Sequence, residues 1–232
     1  MNGDELMASL LKKEGVEWIS CFPAQTLINA CSKEGIRPVM CRQERAGVNM
    51  ADSYSRIHNG NKIGVFTMQH GPGAENAFGG VAQAFADNVP ILLIPGGSTK
   101  RRVDVHPGFD AVPNYKHITK WAGRINTIER IPEMVSRAFT HLRHGRPGPV
   151  LLELPGDVGS AEVPGDIEDY EPVKTYKSFA ASEDVRDIIT ALLKAKKPVI
   201  VAGQGTLYAE AWDELIEFAE LVNIPVMTSL AG

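Results

Sequence analysis

A chain of 232 residues is long enough for one full domain and part of a second, and 44% hydrophobic with 22% charged side chains is the balance of a soluble globular protein. The net charge of −4 is spread over mixed acidic and basic positions, which argues against a nucleic-acid binder and against a charged disordered tail. No apolar run approaches the roughly 20 residues of a membrane span, and the acidic, amphipathic start MNGDELMASLLKKEG is not a signal peptide.

Asn2 to Glu14 is predicted as the first helix, with Asn2 or Asp4 as its cap, Leu6, Leu10 and Leu11 on one face, and Gly15 ending it. Val16 to Phe22 reads as a short strand, Pro23-Ala24-Gln25-Thr26 as a turn, and Leu27 to Lys33 as a helix. A second strand, Val39 to Arg42, leads to Glu44 and to a helix over Ala46 to His58 ended by Asn59-Gly60. The small residues Ala46, Gly47, Ala51 and Ser55 recur at spacings of three and four, which fits a close contact either inside the domain or between subunits. Lys62 to Met68 is apolar enough for a central strand, Gly71-Pro72-Gly73 makes a turn, and Glu75 to Asp87 continues as a helix with Gly79 and Gly80 inside it. Two such glycines cost about 1 kcal/mol each relative to alanine, so a close neighbour, helix or cofactor, is expected beside them.

Ile91 to Pro95 is the next strand, followed by Gly96-Gly97-Ser98-Thr99 and by an irregular stretch, Lys100 to Tyr115. A connection of that length is expected to carry function or mobility. Thr127 is expected to cap a helix reaching His144, and Val150 to Leu154 is the last strand of the domain, closed by Pro155-Gly156-Asp157-Val158. Gly159 to Ser178, rich in Pro, Asp, Glu and Tyr, reads as a linker. A new unit follows: helix Glu183 to Lys194, strand Pro198 to Ala202, turn Gly203-Gln204-Gly205, helix Tyr208 to Val222 and strand Ile224 to Thr228. The resulting division is 1–160, a linker 161–181, and an incomplete unit 182–232. The alternation of strands and helices predicts an α/β doubly wound parallel sheet followed by a partial second α/β unit. In such sheets ligands bind at turns off the carboxyl ends of strands, and the turns at Glu44 and at Gly71-Pro72-Gly73 are both of this kind.

The cysteines, Cys21, Cys31 and Cys41, are odd in number and form no CxxC. They read as reduced, buried small hydrophobes in a cytoplasmic protein.

Glu44, Ala46-Gly47, Met50-Ala51-Asp52-Ser53-Tyr54-Ser55-Arg56 and Gly71-Pro72-Gly73-Ala74-Glu75-Asn76-Ala77, in that order and spacing, resemble the pyrimidine-binding domain of thiamine diphosphate enzymes of the acetolactate synthase and pyruvate oxidase group. The resemblance continues through Ile118-Thr119-Lys120-Trp121 and Leu154-Pro155-Gly156-Asp157-Val158, and more faintly to the C-terminus. It implies a thiamine diphosphate-binding fold and a carboligase or decarboxylase acting on a 2-keto acid, most like acetolactate synthase. It also implies a homodimer or homotetramer with sites between subunits.

Glu44 is then the expected activating acid, hydrogen-bonded to the aminopyrimidine; alone, it would read as a carboxylate facing a helix dipole. Pro23, Pro72, Gly73 and Asn76 are expected to line the cofactor. Gln25, Gln69, His70 and Asp110 are the candidates for the substrate side. Gln25 stands where the group usually has glycine, and Asp110 follows Phe109 where Phe-Gln-Glu is usual; both departures bear on substrate. Gln25 reads equally as a surface turn residue. His70, His106 and His117 read first as structural donors, and Lys100, Arg101 and Arg102 as a solvated charge run.

The group holds the diphosphate and Mg²⁺ with a GDG…N segment in a separate domain; no such segment occurs here, and the near match Pro164-Gly165-Asp166 lies in the linker. No metal ligand is therefore expected in this chain, which is expected to be a truncated piece of a longer enzyme, or one subunit of a split enzyme, inactive without the anchoring domain. Some members bind FAD in the central domain, but Gly203-Gln204-Gly205 lacks the third glycine of a dinucleotide fingerprint. The alternatives are a non-catalytic module binding a nucleotide or partner, in which Glu44 has no reason to persist, and a Rossmann-like binder, disfavoured because Pro23-Ala24-Gln25 is not a phosphate loop.

Overall fold

The computed structural model describes residues 1–23, 25–165 and 170–232. Ala24 of the first turn, Asp166 of Pro164-Gly165-Asp166 and residues 167–169 of the expected linker lie outside the described residues. The chain divides into two compact units, Met1–Thr175 and Tyr176–Gly232.

In the first unit α1 (Gly3–Lys13) begins at a reciprocal cap: Glu5 N–H donates to Asn2 Oδ1 at 2.9 Å and Asn2 N–H to Glu5 Oε2 at 3.2 Å. Asn2 is thus the cap, and Asp4 turns inward to accept from the Thr26 hydroxyl. There follow β1 (Trp18–Cys21), α2 (Leu27–Lys33), β2 (Arg37–Met40), α3 (Glu44–Ile57), β3 (Gly64–Met68), α4 (Pro72–Ala86) and β4 (Ile91–Gly97). The unit continues with α5 (Ala111–Tyr115), β5 (Trp121–Arg124), a 3₁₀ turn (Ile128–Arg130), α6 (Ile131–Arg143), β6 (Val150–Pro155) and α7 (Gly156–Gly159).

The six strands form one parallel sheet in the order β2-β1-β3-β4-β6-β5. Successive residues of the central strands point to opposite faces. Val65, Leu92, Ile94, Val150 and Leu152 join a core with α1, α2 and α6. Phe66, Met68, Ile91, Leu93 and Leu151 join a second core with α3, α4 and α5. Burial on both faces is why these strands read as continuous apolar runs. All three cysteines are free and buried, and burial pushes the Cys21 thiol up to about 11 and the Cys31 thiol up to about 12.

Four expectations from the sequence change. Trp121–Arg124, of which only Trp121 falls in the Ile118-Thr119-Lys120-Trp121 motif, is the edge strand β5. The stretch after Ser98 is irregular to Asp110, but α5 forms at its end with Asp110 as cap. Thr127 makes no side-chain capping bond. Gly156–Gly159 is a short helix. The glycines of α4 have different surroundings: a β-carbon on Gly80 would stand 3.1 Å from Val48 of α3, whereas one on Gly79 would meet nothing within 4 Å.

The second unit contains α8 (Ser182–Lys194), β7 (Ile200–Ala202), α9 (Gln204–Ala209), α10 (Trp212–Val222) and β8 (Val226–Thr228), with β7 and β8 paired in parallel. The expected helix from Tyr208 to Val222 is broken at Glu210, whose φ is +54°. Ala202 and Ile224 are the buried hydrophobic residues of this unit among those described.

Candidate functional site

The strand order reverses direction twice. The chain runs outward from β1 to β2 and returns to β3 on the other side of β1, so the β1–α2 and β3–α4 connections part at the carboxyl edge between β1 and β3. It also passes from β4 to β5 before β6 fills the gap between them. Such reversals open crevices in parallel sheets.

At the first reversal, β3 ends at Met68 and Gly71 makes the turn with φ +67°. That conformation disfavours any side chain by roughly 1–2 kcal/mol. Pro72 then opens α4 at its first position, where a missing N–H costs nothing. Glu44 opens α3 and is buried, at 6% exposure. Its position follows from how closely α3 lies on the sheet. A β-carbon on Gly47 would collide with the Phe66 ring, and one on Gly64 with the backbone of Ala51. Gly47, Ala51 and Ser55 therefore serve contacts within the domain, while Ala46 is exposed. The result is that Glu44 Oε1 lies 3.6 Å from where a β-carbon of residue 73 would stand. The two sequence segments meet here, a buried carboxyl group against a bare stretch of helix backbone.

Gln25 is half-buried at the same reversal. Its Nε2 donates to the Met68 carbonyl at 2.6 Å, and the Thr67 hydroxyl lies 2.6 Å from its Oε1 and 2.8 Å from the Ile94 carbonyl. Gln25 is thus a bracket that ties the β1–α2 turn to the end of β3, not a free surface residue. A β-carbon on Gly96 would stand 2.7 Å from Gln25 Nε2. His70 is half-buried with Nε2 at 3.1 Å from Ser98 Oγ, and its Nδ1 is buried without a partner among the described residues. Gln69 is exposed. A cavity of about 750 Å³ opens beside this edge, lined by His70, Pro72, Glu75, Ser98, Arg102 and Phe109 among others. His106 also lines it.

Pro23, Pro72 and Asn76 are exposed, the last on the outer side of α4 and not at its cap. His117 is exposed beyond α5. Lys100 and Arg101 are exposed, and the Lys100 N–H donates to Asp157 Oδ2 at 2.9 Å.

Asp110 belongs to the second reversal. Its Oδ1 caps α5 by accepting from the Val112 N–H at 3.2 Å and accepts from Arg124 Nη2 at 2.6 Å. Arg124 Nε in turn donates to Glu153 Oε1 at 2.5 Å. Glu153 is fully buried on β6, and burial pushes its carboxyl above the usual range against the pull of Arg124. Neither Arg124 nor Glu153 was marked by the sequence reading. The available signal was a lone glutamate inside the apolar run Val150 to Leu154, since a buried carboxyl needs a partner.

Among the described residues no group of three or more His, Cys, Asp or Glu is placed to hold a metal ion, and no helix is long and apolar enough to cross a membrane. The residues that suit an aminopyrimidine are Glu44 and Gly73: a buried carboxyl to meet a ring nitrogen, and a helix start without a side chain to fill the space beside it.

A family model described as thiamine pyrophosphate enzyme, N-terminal TPP binding domain, matches residues 1–118, and one described as thiamine pyrophosphate enzyme, central domain, matches residues 185–232. The chain is 31% identical, over all of its length, to an acetolactate synthase large subunit of Haemophilus influenzae, and 34% identical over all of its length to that of Lactococcus lactis. It is 34% identical over 96% of its length to a glyoxylate carboligase of Escherichia coli O157:H7. It spans 42%, 41% and 38% of those three relatives, respectively. With a six-stranded parallel α/β sheet of the matching kind, the chain belongs to the thiamine pyrophosphate enzyme family.

Proposed function

We propose that this chain is the N-terminal portion of a thiamine diphosphate- and Mg²⁺-dependent carboligase or decarboxylase of 2-keto acids, most like acetolactate synthase, in which Glu44 activates the cofactor. The observation that carries the reading is the buried Glu44 carboxyl facing the open side of Gly73. When bound, the cofactor supplies a carbanion and an electron sink. With the cofactor bound, the buried Glu44 carboxyl would hold a proton at the pyrimidine ring nitrogen, with little water to compete. Gly73 leaves room for the ring, and Pro72 and the β1–α2 turn at Pro23 border it.

In this reading residues 1–160 form the pyrimidine-binding domain, 161–181 the linker and 182–232 the start of the central domain. The diphosphate and Mg²⁺ are held by another domain, and the protein assembles as a homodimer or homotetramer in the cytoplasm. Among the substrate-side candidates, Gln69 and His70 stand nearest the Glu44–Gly73 pair in the chain. Gln25 and Asp110 are engaged by other protein groups and act on substrate only indirectly.

The test uses the polypeptide as its organism makes it, wild type and Glu44→Gln, with thiamine diphosphate, Mg²⁺ and either pyruvate or glyoxylate. Hydrogen exchange at cofactor C2 and release of CO₂ are followed. Exchange in the wild type that falls by about 10²–10⁴-fold in the variant supports the reading. Equal exchange in both proteins, or no cofactor binding by the wild type, refutes it.

A further inference from the structure

The charged chain at the second reversal runs directly behind the cavity wall. Glu153 Oε1 lies so close to Gly97 that any β-carbon there would collide with it, and Gly97 lines the 750 Å³ cavity. From Glu153 the chain passes through Arg124 to Asp110, with bonds of 2.5 and 2.6 Å. Asp110 adjoins Phe109, which lines the same cavity on one side and packs on the α3–α4 core on the other.

The side chains in this chain grow steadily drier inward: Asp110 is 39% exposed, Arg124 18% and Glu153 0%. Arg124 is thus anchored at its dry end and holds the loop at its wet end. The loop it holds is otherwise irregular from Ser98 to Asp110. Its last residue is held at three points: the side chain by Arg124 and by the Val112 N–H, and the carbonyl by Asn114 Nδ2 at 2.7 Å.

We propose that Arg124 is a positioning residue for the substrate side of the site: braced on Glu153, it fixes Asp110 and with it the Phe109 wall, and so sets which 2-keto acid side chains the cavity accepts. The substrate half of this inference rests on the function proposed above; the bracing of the loop does not. Arg124 touches neither cofactor nor substrate in this account. A rigid apolar wall discriminates between substrates differing by one carbon by roughly 10–200-fold, and a wall free to move discriminates less.

Removing Arg124 alone strands the Glu153 carboxyl in the core, so the informative protein is the double variant Arg124→Met/Glu153→Leu, which leaves no buried charge and similar volume. Arg124→Met alone is compared with it. Two readouts are taken on the polypeptide as its organism makes it. The first is amide hydrogen exchange over residues 98–112, which needs no turnover. Exchange at least ~10-fold faster in the double variant, at unchanged thermal midpoint, is expected; equal exchange overturns the bracing.

The second is the ratio of kcat/KM values across glyoxylate, pyruvate and 2-oxobutanoate, which lengthen by one carbon. The double variant is expected to lose about tenfold of the wild-type preference, mostly through KM. A preference restored along with stability in the double variant makes the network structural only and overturns the specificity role. Absence of cofactor C2–H exchange in the wild type refutes instead the Glu44 reading and the substrate half with it, and the exchange over 98–112 still decides the brace.

Discussion

Glu44 Oε1 lies 3.6 Å from the position a β-carbon would take on residue 73. The two residues come from different helices, and each opens or nearly opens its own. A side chain at 73 would therefore compete with anything Glu44 binds. The same β-carbon would stand 3.0 Å from Gln69 Cβ and 3.4 Å from Met68 Cβ. Gly73→Ala gains about 1 kcal/mol of helix propensity and loses about 1–3 kcal/mol to crowding, so the fold should lose at most ~2 kcal/mol. Cofactor affinity should fall by more than tenfold. Titration calorimetry with thiamine diphosphate and Mg²⁺ beside thermal unfolding checks both, and unchanged affinity would count against the site.

Gln25 ties the β1–α2 turn to the end of β3 through a donor and an acceptor. Gln25→Ala leaves the Met68 carbonyl without this donor, while the Thr67 hydroxyl retains the Ile94 carbonyl as an acceptor at 2.8 Å. The expected loss is about 1–2 kcal/mol. Gln25→Glu places an acceptor against the Met68 carbonyl and should cost more than alanine at neutral pH. Urea midpoints of the three proteins give the order; glutamate as stable as glutamine would show that the bracket is not formed.

Glu14 ties the end of the first unit to its start. Its side chain is fully buried and accepts from Arg143 Nη1, from the Tyr170 hydroxyl and from the Val173 N–H, the last at 3.1 Å. Arg143 keeps the Val173 carbonyl at 2.7 Å and the Glu14 carbonyl at 2.9 Å whatever residue 14 carries. Glu14→Ala should cost about 3 kcal/mol, the lower end for breaking a buried ion pair. Tyr170→Phe should cost about 1 kcal/mol. Limited proteolysis between residues 170 and 176 should quicken in both, and in Glu14→Ala most.

Glu153 makes stability depend on pH in a direction opposite to most carboxylates. Burial holds its carboxyl above the ordinary value of 4.5 in the folded chain. A raised folded-state value means that the neutral form is favoured by folding. Its contribution is therefore complete below 4.5 and is lost as the pH rises through the raised value. Glu153→Gln removes that loss. The stability of Glu153→Gln relative to wild type should rise from about pH 4 to about pH 8, as read from urea midpoints. A difference that is flat with pH would show that folding leaves the Glu153 carboxyl at its ordinary value.

The order of strands and helices was legible in the chain because both faces of the central strands are buried, which leaves long apolar runs separated by turns. The run from Ile91 to Ile94 and that from Val150 to Leu152 needed no tertiary information. Edge strand β5 was not legible: its residues are half-buried, so Trp121–Arg124 carries no apolar run and no strict alternation. The broken helix at Glu210 was missed for a related reason, since a left-handed residue other than glycine or asparagine leaves little trace in sequence.

By itself the sequence determined the fold class, the family and the two turns that meet at the site, because these depend on local periodicity and on residues close together in the chain. Only the tertiary structure decided what each polar side chain faces. It tied Gln25 to the end of β3, and set Asp110 at the outer end of a chain through Arg124 to Glu153. It also assigned the small residues of α3 to the sheet beneath them. The reason is physical: a polar group's role is set by the partner it finds when water is withdrawn, and in a parallel sheet that partner comes from a strand brought alongside by topology.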